Sequence, residues 1–161
     1  MENASKALIM AGGVLIGVLL LTLIVYLFTT FGATSAQINS QNVAKQIAQF
    51  NSKFTSYENK EGLTMYDIVT VAGYAKENNE YYDCDNNSYN KNNYYIYVYI
   101  GNSNNESNGI QKKDSEELQK LITDEQNLIT ENNGALPIYK CRIKDYHTNG
   151  RVKTIIFTKD N

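Results

Sequence analysis

Residues 7–33 read ALIMAGGVLIGVLLLTLIVYLFTTFGA and contain no charged side chain. As an α-helix this segment would be about 40 Å long, which exceeds the roughly 30 Å hydrocarbon core of a bilayer. The apolar part of a cleaved signal peptide is shorter, at about 7–15 residues. The segment therefore predicts an uncleaved transmembrane helix, and a cleaved signal peptide is the alternative.

The chain outside this segment is polar. The full 161 residues have a mean hydropathy of −0.43 and a formal net charge of −2. The sequence contains no run of Lys or Arg, whereas a nucleic-acid-binding protein needs a basic face to displace the counter-ions of phosphates. We therefore expect a polar domain on a membrane anchor, with membrane lipid and no nucleic acid among its partners.

Charges beside the anchor indicate its direction. Lys6 is the only Lys or Arg before residues 7–33, and the next one in the chain is Lys45. Positive charge marks the cytoplasmic side of a membrane helix. We expect a single-pass protein of the cell membrane, with its N-terminus in the cytoplasm and its C-terminal part extracytoplasmic.

Gly13 and Gly17 lie one helical turn apart within the anchor. This GxxxG spacing lets two helix backbones approach closely in lipid. It predicts helix packing at these glycines, through self-association or with other membrane helices. A monomeric anchor is the alternative.

A second pattern follows the anchor. No Gly or Pro occurs between Ala33 and Tyr57, so one helix of about 75 Å is expected over residues 7–57. Apolar residues recur in its outer half and form a seam: Val43, Ile47, Phe50, Phe54 and Tyr57. Because Phe and Tyr suit a globular interface better than a narrow coiled coil, the seam predicts packing against the chain's own head. A coiled coil is the alternative.

Local signals predict the helices of the head, residues 58–161. Thr64 and Asp67 form a capping box at the start of one helix. Asp114 is a candidate cap for a further helix, which is expected to stop at Gly134.

Alternating residues predict three strands, over residues 94–100, 136–147 and 151–159, with a loop over 80–93. The last two strands flank Asn149-Gly150, a strong hairpin signal. The expected fold is α+β: a long N-terminal transmembrane-plus-amphipathic helix packed on a small head with helices and an antiparallel sheet that ends in a C-terminal β-hairpin. The expected segments are a cytoplasmic tip with the transmembrane helix, an amphipathic helical extension and an extracytoplasmic head, over residues 1–33, 34–57 and 58–161.

The first predicted strand has two different faces. Its tyrosines alternate with aliphatic residues, which places on one face Tyr95, Tyr97 and Tyr99. The aliphatic face is expected to join the core. The tyrosine face either packs on the long helix or forms an exposed interaction surface for a partner chain, because Tyr supplies apolar area with a polar group.

The two cysteines, Cys84 and Cys141, both lie on the expected extracytoplasmic side. An even count in an oxidising compartment predicts a disulfide, which would stabilise a small domain by about 4 kcal/mol in the chain-entropy description. Two unrelated thiols are the alternative. Two isolated cysteines and one histidine lack the paired spacing of a zinc site.

The sequence carries no motif for catalysis. His147 is the only histidine, and its place beside the hairpin turn predicts a surface position. Neither a GxSxG nor a Walker motif is present. We expect a non-enzymatic protein without a cofactor.

One loop offers oxygen ligands for a cation. Asp83, Asp85 and Asn87 alternate as in the first half of an EF-hand loop, but Ser88 and Tyr94 replace the Gly and Glu which that loop requires. These replacements exclude a regular EF-hand. An irregular Ca²⁺ site is a hypothesis, and a solvated turn is the alternative.

The order of these elements resembles that of a type IV pilin or pseudopilin, in which an apolar N-terminal helix continues into an amphipathic half and carries a small α+β head. The family's processing motif is not found in residues 1–6, and Glu2 is the acid that the resemblance places in the family's charge-pairing role. The resemblance implies subunits that pack through residues 7–57 and display their heads outwards.

Two functions are consistent with these features. The first is a structural subunit of a pilus-like or secretion-type surface filament, assembled through the N-terminal helix. The second is a membrane-tethered extracytoplasmic binding or sensory module. In that case the helix is only an anchor, and the surface near residues 80–108 recognises a ligand of unknown identity.

Overall fold

The computed structural model describes residues 2–101, 108–131 and 136–160. For residues 128–131 the structure describes the backbone alone. The chain forms two compact units, residues 1–46 and 47–161. The first helix, α1 (Glu2–Thr55), contributes to both, so the second unit consists of the last turns of α1 together with the head.

The first unit contains the apolar part of α1. Its large apolar side chains are exposed in the isolated chain, and the most apolar 18-residue window of the helix has no buried residue. The helix is long and apolar enough for a membrane span or a signal sequence. The predicted continuous helix is confirmed, and it ends at Thr55 rather than at Tyr57.

The described part of the second unit adds three helices and three strands. The helices are α2 (Met65–Tyr81), α3 (Ser88–Tyr94) and α4 (Ser115–Glu131). The strands are β1 (Tyr97–Ile100), β2 (Ile138–Tyr146) and β3 (Val152–Asp160). A 3-10 turn, Ile110–Lys112, precedes α4. The predicted α+β class is confirmed.

The predicted helix starts are present. The Thr64 amide donates to Asp67 Oδ2 at 2.9 Å and so closes the box at the start of α2. At the start of α4, the Glu117 amide donates to Asp114 Oδ1 at 2.8 Å. The predicted stop at Gly134 lies outside the described residues.

The segment predicted as a loop over residues 80–93 contains helix α3. The side-chain oxygen of Asn87 accepts hydrogen bonds from the amides of Tyr89 and Asn90 at 3.0 and 3.2 Å, which satisfies the first turn of that helix. Because α3 extends to Tyr94, β1 begins at Tyr97 and is shorter than the predicted strand.

The three strands form one sheet in the order β1-β3-β2. The hairpin strands β2 and β3 are antiparallel, as predicted, but β1 runs parallel to β3. The sheet is therefore mixed and not antiparallel throughout. Alternation defines the two faces of a strand but carries no information on which strand lies beside it. The long connection through α4 is what permits the hairpin to place β3 next to β1.

The main core lies between one face of this sheet and the helices. Phe54 of α1 enters it together with Ile68 and Val71 of α2. The sheet contributes Val98, Cys141, Ile155 and Phe157. The C-terminal end of α1 is therefore part of the hydrophobic core of the head.

Candidate functional site

The apolar surface of α1 is the first part of the candidate site. Gly13 and Gly17 lie on one face, and a Cβ added to either would meet no atom within 4 Å. The hydroxyl of Thr22 donates to the Val18 carbonyl at 2.8 Å, so this polar group is satisfied within the helix, as a lipid environment requires. The surface can lie against lipid or against another helix.

The seam residues divide between the two units. Phe54 is fully buried, and its ring centroid lies 5.5 Å from that of Phe50. Phe50 and Tyr57 are partly buried against the same core, and Ile47 is half-buried. Val43 belongs to the first unit and is exposed. The predicted packing of the seam on the head is confirmed for Phe50, Phe54 and Tyr57.

Asn51 joins the same stretch of α1 to the hairpin by hydrogen bonds. Its Nδ2 donates to the Gly150 carbonyl at 2.8 Å, and its Oδ1 accepts from the Val152 amide at 3.0 Å. A single side-chain amide thus satisfies both a donor and an acceptor of the hairpin backbone. Its position was available from the sequence, because residues 47, 51 and 54 share one helical face.

Arg151 forms a second link between α1 and the head. Its guanidinium carbon lies 3.7 Å from the centroid of the Phe50 ring. Nη1 donates to the hydroxyl of Tyr82 and Nη2 to Asn78 Oδ1, each at 3.1 Å. Such a partly desolvated cation–π contact is worth about 1–2 kcal/mol. No pattern in the sequence identified Arg151, because its partners lie far from it in the chain, in α1, in α2 and at the residue after α2.

Side-chain amides also form hydrogen bonds with the edge of β1 that has no neighbouring strand. The Ile96 amide donates to Asn79 Oδ1 at 2.8 Å, while Asn79 Nδ2 donates to the Ile96 carbonyl at 3.0 Å. The Val98 amide donates to Gln111 Oε1 at 2.9 Å. Edge strands with unpaired backbone groups are templates for adding another strand. Here helix α2 and the 3-10 turn supply the partners instead.

The outer edge of β2 is covered by the segment that follows α1. Leu63 and Tyr139 exchange two backbone hydrogen bonds, at 3.3 and 2.8 Å. The Ile143 amide donates to Glu58 Oε1 at 3.2 Å. Both edges of the described sheet therefore carry partners from the chain itself.

The tyrosine face of the first strand is buried. The exposed fractions of Tyr95, Tyr97 and Tyr99 are 1%, 8% and 4%, and they pack with Cys84 in a second cluster. Of the two alternatives, packing is therefore found and the exposed interaction surface is not. The residues that cover this face are Tyr82 and Tyr94, not the long helix that the prediction named. The aliphatic face joins the main core, as predicted.

The two cysteines are free, buried thiols, so the predicted disulfide is wrong. Cys84 packs with the tyrosine face of β1, whereas Cys141 faces the main core on the other side of the sheet. Burial, with smaller effects of Asp85 and Asp83, raises the pKa of Cys84 to about 11. Burial and then Glu58 raise the pKa of Cys141 to about 12. Both thiols are therefore protonated at neutral pH and poor nucleophiles.

His147 is buried, so its predicted surface position is wrong. Nδ1 lies 2.9 Å from the Asn92 carbonyl oxygen, and Nε2 lies 2.9 Å from that of Tyr95. Burial lowers the pKa of the ring, the two carbonyl contacts act in the opposite direction, and Lys153 and Arg151 lower it further. A carbonyl oxygen only accepts, so the neutral ring donates a hydrogen bond to one of these two carbonyls and only the protonated ring would donate to both.

The three residues of the calcium hypothesis have different roles in the structure. The Oδ1 of Asn87 caps α3. Asp83 Oδ1 accepts from Asn86 Nδ2 at 2.7 Å, and the Asp83 backbone has a φ of +47°. Asp85 instead lines a cavity beside Glu80. The calcium site stays a prediction.

The helix surface and the seam are therefore predictable from the sequence, whereas the links at Asn51 and Arg151 are not. Each unit has its own candidate feature. The first has an exposed apolar helix surface, and the second has a helix end held by packing and hydrogen bonds. No protein family, no curated protein and no solved structure matches this chain.

Proposed function

We propose that this protein is a non-enzymatic structural subunit of a pilin-like surface filament, of the pilus or secretion type, that assembles through its N-terminal helix. Before assembly, residues 7–33 anchor it in the cell membrane, with the N-terminus in the cytoplasm and the head extracytoplasmic. The observation that carries the proposal is α1, which is apolar and open in the first unit and built into the head core in the second.

The exposed apolar surface of α1 supports association. Side chains such as Leu19, Leu23 and Phe28 are more than half exposed in the isolated chain. Such a surface is stable only in lipid or against protein. Gly13 and Gly17 permit close backbone approach in the same helix. Transfer of the helix from lipid to a bundle of equal helices would keep its apolar surface out of water.

The head supports the same proposal in a different way. Its described sheet edges are occupied by its own residues, so addition of a strand from another subunit is not the favoured mode of assembly. If a force pulls on α1, the hydrogen bonds of Asn51 and the contact of Arg151 with Phe50 would transmit that force to the head.

Shearing of cells that make the protein tests the proposal. We expect sheared material to contain filaments with the intact chain, visible by cryo-electron microscopy with the helices inside. Gly17→Ile should reduce filament yield strongly, because a β-branched side chain at this open face keeps helices apart. Gly73→Ile is the matched control, since Gly73 lies exposed on α2 and a Cβ there also meets no atom within 4 Å.

Recovery of the chain solely as a membrane-bound monomer would overturn the filament proposal and favour the tethered binding or sensory module. Equal filament yields from Gly17→Ile and the native chain would remove the glycine contact alone.

A further inference from the structure

A cavity of about 590 Å³ opens on the head, beside the hairpin. Two cross-strand pairs contribute to its lining on the face of the sheet opposite the core: Arg142 with Ile156, and Lys140 with Thr158. The Cβ atoms of two residues in such a cross-strand pair are about 5 Å apart. Residues i and i+2 of one strand, which share a face, are about 7 Å apart. The turn at residues 59–61 completes the lining. We call this the basic cavity.

The turn that borders the basic cavity is held in place by backbone geometry. Asn59 and Gly62 take left-handed conformations, with φ of +60° and +71°. The chain on either side of them forms bridges to β2, Glu58 with Cys141 and Leu63 with Tyr139. The cavity is thus built from elements fixed to one another and does not depend on a free loop.

Cations predominate in the lining of the basic cavity. Lys60, Lys140 and Arg142 all contribute to it, whereas Glu61 is the only acid among the lining residues that the structure describes. Lys140 is paired with Asp160 at 2.8 Å. Lys60 lies 5.3 Å from the Tyr57 ring centroid. When the Lys140–Asp160 pair is counted as neutral, the net charge of the described lining residues is positive, although the whole chain has a net charge of −2.

Arg142 is the cation of the basic cavity that has no partner among the described residues. Its side chain is exposed, and in the described part of the chain it has no ion pair, hydrogen bond or ring contact. A guanidinium matches the two oxygens of a carboxylate or phosphate with parallel hydrogen bonds. The residues around it add one apolar contact, Ile156, and two neutral polar groups, Asn59 and Thr158.

We propose that the basic cavity binds a hydroxylated organic anion of the sugar-acid or sugar-phosphate class. The anionic group pairs with Arg142, supported by Lys60, while hydroxyl groups bond to Asn59 and Thr158 and the carbon skeleton lies on Ile156. A cavity of this volume is in the range that binds small organic molecules rather than a bare inorganic ion. The site is separate from the apolar surface of α1, so the inference does not rest on the filament proposal.

Isothermal titration calorimetry of the full chain, in an uncharged polyoxyethylene detergent, tests this site. The probes are glucuronate, glucose 6-phosphate, glucose and inorganic phosphate. We expect saturable binding of glucuronate, glucose 6-phosphate or both, weaker binding of inorganic phosphate, and none of glucose. Preference between the first two identifies the anionic group. Affinity should fall as NaCl is added, because the contacts are exposed to screening.

Variants separate this site from general charge effects. Arg142→Gln should weaken binding at least tenfold and Lys60→Gln to a smaller degree, whereas Lys120→Gln on the exposed face of α4 should leave it unchanged. Because Arg142 is exposed, Arg142→Gln is expected to have the same unfolding temperature as the native chain.

The proposal is overturned if neither charged sugar binds with a dissociation constant below about 10 mM, which corresponds to about 3 kcal/mol of binding free energy. Equal weakening by Arg142→Gln and Lys120→Gln, or equal affinity for glucose and the charged sugars, also refutes it. None of these outcomes bears on filament formation.

Discussion

Replacement of Phe54 by Ala tests whether the end of α1 belongs to the core of the head. The Phe54 side chain is fully buried, and its ring meets the rings of Phe50 and Tyr74 at centroid distances of 5.5 and 6.5 Å. Truncation removes the apolar contacts of the ring and leaves a cavity that the neighbouring helices and sheet cannot fill completely.

The expected cost is about 4 kcal/mol of unfolding free energy, within the range measured for buried Phe to Ala changes. This is a large fraction of the roughly 5–15 kcal/mol that holds a domain folded. With a urea dependence of about 2 kcal/mol per molar for a domain of this size, the unfolding midpoint should fall by about 2 M.

Urea unfolding of the full chain in detergent micelles provides the measurement. The chain contains 13 Tyr and no Trp, so tyrosine emission reports on the head, where most of the tyrosines lie. Phe28→Ala is the matched control, because Phe28 lies in the same helix and is 74% exposed. It should leave the midpoint of the head unchanged.

A loss below about 1 kcal/mol for Phe54→Ala, or equal midpoints for the two variants, would refute the reasoning, because a fully packed Phe cannot be removed at so small a cost. The helix end would then lie beside the head without contributing to its core.

Three further predictions concern buried polar and thiol groups. Cys84 and Cys141 should resist a thiol reagent at pH 7.5 in the folded chain and both react in urea, since burial raises their pKa values to about 11 and about 12; a mass lower by two hydrogens before reduction would contradict the free thiols. Because the pKa of His147 is lowered in the folded state, the unfolded state binds the proton more readily, and urea unfolding should show lower stability at pH 5.5 than at pH 7.5, an effect that His147→Gln removes. Asn79→Leu should lower the free energy of unfolding by about 2–3 kcal/mol, because the backbone groups of Ile96 lose their buried partners, while the exposed Asn127→Leu should change it little in the same assay.

Local sequence signals identified most of the elements of the fold. The uncharged run at residues 7–33 and the absence of Gly and Pro after it indicated α1. Thr64 with Asp67 marked the start of α2, and Asn149-Gly150 marked the hairpin. Each of these signals acts between residues close in sequence, so it is readable without knowledge of the tertiary structure.

Other features depend on residues far apart in the chain. Helix α3 is made of Asn, Tyr, Ser and Lys, so its apolar periodicity is too weak to predict a helix. The tertiary structure supplies packing instead, because the stacked rings of Tyr82 and Tyr94 lie against the buried tyrosine face. The separation of Cys84 from Cys141 depends on the two faces of the sheet, which an even count of cysteines does not report. The burial of His147 depends on α3 and the residue after it, because the carbonyl groups of Asn92 and Tyr95 lie 2.9 Å from its two ring nitrogens.

The amino-acid sequence by itself determined the apolar helix, the amphipathic seam, the hairpin and the α+β class, because periodicity, capping and the absence of charge act over a few turns or strand residues. Only the tertiary structure decided the parallel pairing of β1, the burial of the tyrosine face, the free thiols, and the links of Asn51 and Arg151 to the head. It also placed Lys60 in the lining of the same cavity as Lys140 and Arg142, which lie some eighty residues later in a sequence that shows no basic run. The physical reason is that these arrangements follow from which surfaces the folded chain brings into contact, and a one-dimensional pattern does not contain those contacts.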